Sequence, residues 1–277
     1  MSFSQLTLKC RLITPMFMAG ADIREPELRP SEFKGMMRFW WRAIKAENDI
    51  ETLKKEEIKI FGGTGENPQK SKVWLKIKEE ISKKGKYFLL PHKKRANISC
   101  FLPDTTFEIT LKIFKKDLKT QIASLIFLMF ILGGFGKRSR RGFGSIELED
   151  FKKLNINLEV VLKLLKKIQD TYEIKDNKII NLKNGGKYPW IKEIEIGKPV
   201  KNWEDLLLKI GEATHKYRDP SLGNGNPRMA SPIYVSVIRT KEGYRPIVTT
   251  LNSRFPEKNY PRWNFEKQKL FKEEILL

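Results

Sequence analysis

The stretch that most constrains the fold is Gly133 to Ser145, which reads GGFGKRSRRGFGS and follows an unbroken apolar run, Ile122 to Leu132. An apolar run of this length is too short to span a bilayer and predicts a buried helix. Glycines free the backbone to turn sharply and to approach another molecule closely. We therefore predict a flexible loop that leads from the helix into a strand at Ile146; its glycines are Gly133, Gly134, Gly136, Gly142 and Gly144.

The same loop carries four cations within five positions, namely Lys137, Arg138, Arg140 and Arg141. Guanidinium groups beside exposed backbone N–H groups suit a polyanion such as a nucleic-acid backbone. The spacing is neither that of a phosphate-binding P-loop nor that of a GxGxxG dinucleotide fingerprint. A solvated basic turn is the alternative interpretation of the loop by itself.

The overall charge also indicates an anionic partner. The 277 residues include 54 Lys and Arg against 33 Asp and Glu, a net charge of +21. This favours nucleic acid first and a membrane surface second. With 40% hydrophobic residues, 11% of the chain being aromatic, the sequence has enough apolar content for packed cores, and its length suggests two domains or one large one.

The cysteine content and the first residues further limit the class of protein. Cys10 and Cys100 are the only cysteines and no CxxC motif occurs, so we expect neither a disulfide framework nor a zinc site. The first residues, MSFSQLTLKC, lack the apolar core of a signal peptide. We expect a cytoplasmic protein that holds no metal ion or cofactor.

Apolar–polar alternation predicts four strands in the first half, near residues 6–12, 73–77, 107–113 and 144–148. Apolar residues at helical spacing predict one helix after Pro30, with Ser31 as the N-cap and Trp40 and Trp41 in the core. A second helix is expected from Asp117 to Leu132. The order β-α-β-β-α-β over residues 4–151 is that of a ferredoxin-like unit, with a four-stranded antiparallel sheet.

The second half is predicted to be a degenerate version of the same unit. Its pattern starts as helical, with apolar residues from Val160 to Ile168, and a turn-rich segment follows at 181–190. A helix is expected at 203–216, a hairpin from 233 to 251 and a terminal helix at 263–276. The predicted fold is therefore α+β, with two tandem ferredoxin-like units at 1–151 and 152–277, the second with its last strand missing or supplied from elsewhere.

The first helix also presents a basic stripe, formed by Lys34, Arg38, Arg42 and Lys45. No acidic residue of the helix is interleaved with it to form i,i+4 pairs. The stripe is therefore either a phosphate-binding face or a solvated one.

Several motifs resemble one family. The loop GGFGKRSRRGFGS, between the second helix and the fourth strand, resembles the glycine-rich loop of RAMP proteins, the RNA-binding subunits of CRISPR effectors. Three further segments are similar to the family of the first Cmr subunit of type III-B systems: TPMFMAGAD (14–22), ELRPSEFKGMMRFWWRA (27–43) and IFGG (60–63). A fourth, NPRMASPIYV (226–235), resembles the segment that opens the second half of that family.

The resemblance implies a non-catalytic subunit at the head of an RNA-guided complex, near the 3′ end of the guide RNA, that helps to engage target RNA in antiviral defence. Its partners would be RNA and other Cmr subunits, with no membrane and no small-molecule substrate. The residues that would then contact RNA are Arg24, Arg29, Lys34, Arg38, Arg42, Lys137, Arg138, Arg140, Arg141 and Arg228.

Few residues offer catalysis. His92 lies in a basic segment and His215 near the end of a helix, too far apart in sequence to be called a pair. Some RAMP relatives cut guide-RNA precursors without a metal ion, so a metal-independent endoribonuclease using either histidine is the alternative function. No Asp or Glu spacing indicates a two-metal site. Three aromatic residues are candidates either for base stacking or for the core: Trp74, Phe135 and Phe143.

Overall fold

The computed structural model describes residues 3–64, 68–151, 155–226, 228–252 and 263–277 of an α+β protein. Its helices are α1 (Pro30–Lys45), α2 (Ile50–Phe61), α3 (Lys119–Leu132), α4 (Leu158–Lys166), α5 (Trp203–Lys216) and α6 (Phe265–Leu276). Its strands are β1 (Ser4–Leu12), β2 (Val73–Ile81), β3 (Lys84–Leu90), β4 (Arg95–Phe101), β5 (Thr106–Ile113), β6 (Ile146–Leu148), β7 (Tyr172–Lys175), β8 (Lys178–Asn181), β9 (Ile191–Ile196), β10 (Ile233–Thr240) and β11 (Gly243–Leu251).

The first half forms a four-stranded sheet in the order β2-β5-β1-β6, with all neighbours antiparallel. Its four strands are the four that alternation predicts. Between β2 and β5 the chain adds a separate hairpin, β3–β4. The sequence pattern missed this hairpin because its side chains are mostly half-buried or exposed on both faces, which weakens the period of two.

The start of α1 differs from the prediction. The helix begins at Pro30, and Arg29 occupies the N-cap position without a side-chain hydrogen bond. Ser31 is therefore a residue of the first turn, and its prediction as the N-cap is wrong. Proline is well suited to the first helical position because the N–H it lacks would have no partner there. Trp40 and Trp41 are buried, as predicted.

Helix α3 is buried around its whole circumference, which explains why its sequence is apolar without any polar stripe. It contacts α1 of the first half and α4, β10 and β11 of the second half. Both halves thus share one apolar core around α3, to which Tyr234 and Ile238 of β10 belong. Every helix among the described residues falls short of what a membrane crossing requires.

The second half forms a five-stranded antiparallel sheet in the order β10-β11-β9-β8-β7. The hairpin β10–β11 and the helices α5 and α6 lie where the sequence predicts them. Strands β7, β8 and β9 were not predicted. The turn between β7 and β8 is Asp176-Asn177, both with positive φ (49° and 56°). Two such residues in a two-residue turn favour a hairpin, a signal that was present in the sequence.

Candidate nucleic-acid interface

The glycine-rich loop lies against β10, the edge strand of the second sheet. The Gly142 N–H donates to the Val235 carbonyl (2.8 Å), and the Val237 N–H donates to the Ser145 hydroxyl (3.0 Å). The loop therefore satisfies backbone groups that an uncovered edge strand would leave open. It joins the two halves and is a packed connection instead of the flexible loop predicted.

The glycines of the loop allow close packing of backbone on backbone. Gly136 and Gly144 have positive φ (77° and 66°). A Cβ atom would lie 2.4 Å from the Phe17 carbonyl oxygen at Gly136 and 2.1 Å from the Phe135 carbonyl oxygen at Gly144. Gly133, Gly134 and Gly142 also face neighbours at distances that exclude a side chain. Phe135 and Phe143 are buried, which decides for the core and against base stacking.

Arg141 is the buried arginine of the loop, only 8% exposed. Its guanidinium donates to the carbonyls of Ile233 (3.0 Å) and Leu222 (3.0 Å) and to the Ser231 hydroxyl (3.1 Å). Burial, followed by the charge of Arg138, lowers the pKa of Arg141 to about 9, so it remains charged at pH 7. Arg141 stays a predicted RNA-binding residue, but its donors bind the backbone of the second half and it therefore also holds the fold together.

Arg140 and Lys137 differ from Arg141 in exposure. The Arg140 guanidinium donates to the Ser231 carbonyl and lies 4.8 Å from the centre of the Tyr234 ring, a cation–π contact. Lys137 is exposed at the tip of the loop. Lys137 thus keeps its ammonium group in solvent, whereas Arg140 is partly committed to the fold.

The basic stripe of α1 is paired with an acid from α2. Arg38 donates to Glu57 (2.8 Å) and also to the carbonyls of Phe61 and Gly62 (both 2.6 Å), which lie at the end of α2. Arg42 donates to both oxygens of the same Glu57 carboxylate (2.8 and 2.9 Å). Cations are favourable at a helix C-terminus, so both arginines stabilise the packing of α2 on α1.

The other predicted contacts are spread over the surface. Arg24 is 84% exposed and pairs with Asp22 in its own loop (3.1 Å), and Arg29 is exposed at the start of α1. Lys34 is half-buried, and burial together with Arg38 lowers its pKa. Trp74 is 43% exposed, with the Lys112 ammonium 5.3 Å from its ring centre. These residues are not gathered into one site.

A basic groove does form where the loop meets the second half. It consists of two adjoining cavities of about 380 and 570 Å³. Both are lined by Arg138, and the larger also by Arg228. The smaller one is lined by Lys93 and Arg218, whose part in the site the sequence reading missed. In the described part of the chain none of these four cations has an ion-pair partner.

The fold brings His92 and His215 together in the smaller cavity, with their ring centres 6.1 Å apart. His92 follows β3 in a short turn and His215 ends α5, so only the tertiary contact between that turn and α5 pairs them. Their sequence separation hid this juxtaposition.

His92 packs its imidazole ring on α5. Its Nδ1 atom is buried, faces Gly211 and has no hydrogen-bond partner among the described residues. Burial, and then the charges of Arg138, Lys93 and His215, lower the pKa of His92. An imidazole can donate an N–H group to an anion, and His92 lines the smaller cavity.

Acidic side chains do not gather at the groove. Asp219 lines the smaller cavity, but its carboxylate accepts from the N–H groups of Ser221 (2.8 Å) and Asn264 (3.1 Å). Among the described residues, no three His, Cys, Asp or Glu side chains lie together in a way that could hold a metal ion. The arrangement can bind anions, with guanidinium, ammonium and imidazole N–H donors.

Comparison with known proteins gives a consistent family. A family model described as the RAMP superfamily matches residues 9–147. The CRISPR system Cmr subunit Cmr1-2 of Pyrococcus furiosus is 31% identical over an alignment of 178 residues that covers 51% of this chain and 94% of that protein. Subunit Cmr1-1 of the same organism is 26% identical over 226 residues, covering 69% of this chain and 65% of that protein.

Solved structures show the same fold over the whole chain. The crystal structure of Cmr1 from Pyrococcus furiosus in its apo form superposes with a TM-score of 0.66 at 18% identity, covering 99% of this chain and 97% of that one. A chain in the cryo-EM structure of the type III-B Cmr-beta bound to cognate target RNA and AMPPnP superposes with a TM-score of 0.61 at 14% identity, covering 97% and 98%.

Proposed function

The chain belongs to the RAMP superfamily, and from this premise we propose that it is a non-catalytic RNA-binding subunit of a type III-B Cmr effector complex. The relatives that are similar in sequence are named as Cmr subunits, and one structural relative comes from a Cmr assembly bound to target RNA. The site of guide or target RNA would be the basic groove, at the head of the complex near the 3′ end of the guide.

The observation that carries the proposal is a set of groove cations that have no ion-pair partner among the described residues. A cation in a partly buried site without a counter-charge is unfavourable unless an anion joins it. Burial lowers the pKa of Arg138, and its Nε atom is buried without a partner. A phosphate group would supply the missing charge and acceptor. We expect mainly phosphate and sugar contacts, made by Lys93, Lys137, Arg138, Arg218 and Arg228.

The fold supports the same proposal. We infer two tandem ferredoxin-like units at 1–151 and 152–277, joined by the glycine-rich loop. In the second half β9, β11 and β10 are arranged as the first three strands of such a unit, with β11 between the other two. Strand β8 lies beside β9, where a fourth strand would stand, although it precedes β9 in the chain. The missing strand is thus supplied from within the second half.

The alternative function, a metal-independent endoribonuclease, draws on the proximity of His92 and His215. A general base must present an unprotonated nitrogen to the substrate hydroxyl. A catalytic base is also oriented by a third group that bonds its other nitrogen. The buried Nδ1 of His92 has no hydrogen-bond partner among the described residues, so it lacks such a group. His92 therefore suits binding better than proton transfer.

The test is filter binding of single-stranded RNA over a salt series in EDTA, followed by a gel of the bound RNA. The variant Arg138→Gln with Arg228→Gln removes two groove cations, and the control Lys55→Gln with Lys163→Gln removes two exposed cations from α2 and α4. We expect the groove variant to flatten the slope of log K against log salt by about 1.4, or 0.7 per phosphate contact. Equal slopes for both variants would contradict the groove, and cleaved RNA would favour the enzyme.

A further inference from the structure

We propose that the cavity between His92 and His215 is a subsite for a terminal phosphate of RNA, the phosphomonoester at a strand end whose preceding nucleotides lie in the adjoining groove. The inference rests on the proposed function and adds to it a preference for one kind of RNA end. A preference for one RNA end would distinguish a site that binds the end of a strand from a groove that binds the strand only along its length.

The shape of the site supports an end. The smaller cavity, about 380 Å³, lies between the turn that carries His92 and the last turns of α5. It communicates with the larger cavity through the residues that line both, among them Arg138 and Thr214. Ligand pockets of about 300 Å³ and more hold small molecules, so this space accepts a phosphate with its nucleoside.

The charge of the cavity matches a phosphomonoester. Lys93, Arg138 and Arg218 contribute three positive charges and Asp219 contributes one negative charge, which leaves +2 from these four residues. A phosphomonoester carries about −1.5 to −2 at pH 7. A phosphodiester within a strand carries only about −1 and would leave part of the positive charge uncompensated.

The donors point to the same ligand. His92 lines the cavity and can donate from its imidazole, and Arg138 lacks any ion-pair partner within the described ranges. The last carbonyls of α5 would repel an anion, but those of Ala213 and His215 accept from the N–H groups of Tyr217 and Arg218. The anion therefore meets donors on the sides of the cavity formed by the loop and the β3–β4 turn.

Gly211 indicates that the position of His92 is constrained by the fold. Glycine inside a helix is less stable than alanine. A Cβ atom at this position would lie 2.4 Å from His92 Nδ1. The glycine thus allows the imidazole to pack directly on α5, and the change Gly211→Ala would displace the ring.

The experiment compares one RNA sequence ending in a 3′-hydroxyl, a 3′-phosphate or a 5′-phosphate, measured by filter binding in EDTA. We expect one phosphate-ended RNA to bind about tenfold more tightly than the hydroxyl form, the effect of one charge-assisted hydrogen-bond cluster. The phosphate-ended RNA that binds more tightly shows whether the cavity holds the 3′ or the 5′ end. Inorganic phosphate at millimolar concentration should reduce this gain and leave binding of the hydroxyl form unchanged.

The variants Lys93→Ala, His92→Ala and Gly211→Ala should each reduce the tenfold preference, whereas Lys86→Ala, an exposed lysine of the same hairpin, should keep it. Thermal unfolding of each variant verifies that it folds. Lys93 is exposed, so Lys93→Ala should fold and can be compared with the original protein even if the other variants do not fold. Equal binding of all three RNAs, with the groove variant still weakened, would overturn the subsite alone. Failure of every RNA to bind at low salt would overturn the proposed function as well.

Discussion

The basic stripe of α1 and the basic groove are alike in sequence and different in structure. In the stripe, one buried acid of α2, Glu57, takes hydrogen bonds from both Arg38 and Arg42. In the groove, Arg138 and Arg228 have no acidic partner among the described residues. Cations of the same type therefore hold two helices together in one place and, under the proposed function, bind an anion in the other.

A second contrast lies within the glycine-rich loop. Arg138 and Arg141 are three positions apart and both line the larger cavity, yet Arg141 is buried and donates to backbone carbonyls of the second half, whereas Arg138 has no ion-pair partner among the described residues. The role of a cation therefore depends on whether its charged group lies next to a carboxylate, next to a carbonyl or in open solvent. The charge of the side chain by itself is compatible with all three environments.

The largest effect should come from Arg141→Ala. The change removes the guanidinium donor from the buried carbonyls of Ile233 and Leu222, of which Ile233 keeps the Ser231 hydroxyl, and removes the contact with the Phe271 ring. We expect a loss of about 3 kcal/mol in the free energy of unfolding, measured by urea denaturation. Lys137→Ala, in the same loop but exposed, is the control and should change stability little. Similar losses in both variants would contradict the structural role of Arg141.

A smaller effect should come from Glu57→Gln, which leaves Arg38 and Arg42 of the stripe without their negatively charged partner, as the cations of the groove are. We expect stability to fall by about 1–2 kcal/mol because two charge-assisted hydrogen bonds are weakened. RNA affinity should not fall, since Arg42 gains freedom to meet phosphate. The measurement is urea unfolding combined with RNA filter binding. A marked drop in affinity would instead show that Glu57 orients the stripe for RNA, as the sequence reading of α1 allowed.

The smallest effect should come from Arg24→Ala. Arg24 is largely exposed and pairs only with Asp22 of its own loop, and such surface pairs contribute little. We expect an unchanged unfolding midpoint and an RNA affinity within about twofold of the original. A loss of affinity as large as that of the groove variant would show that the RNA path extends to this loop, 14–29.

Part of the site was evident from sequence and part was not. Arg138 and Arg228 were named from the loop and from a family-like segment, and both line the groove. His92 and His215 were noted separately, but their pairing depends on a turn in the first half meeting α5 of the second, about 120 residues away. The sequence did not indicate Lys93 and Arg218 as residues of the site, because the chain has many cations and nothing distinguishes these two.

The sequence by itself determined the local structure of most elements. Strict alternation of apolar and polar residues predicted β1, β2 and β5. The apolar stripe predicted α1 and the unbroken apolar run predicted α3, because burial of one face or of all faces determines where apolar residues recur in the sequence. Only the tertiary structure decided which cations are paired. Hydrogen-bond partners such as Glu57 for Arg42, or the Leu222 carbonyl for Arg141, come from distant segments, and no local pattern records a contact made between them.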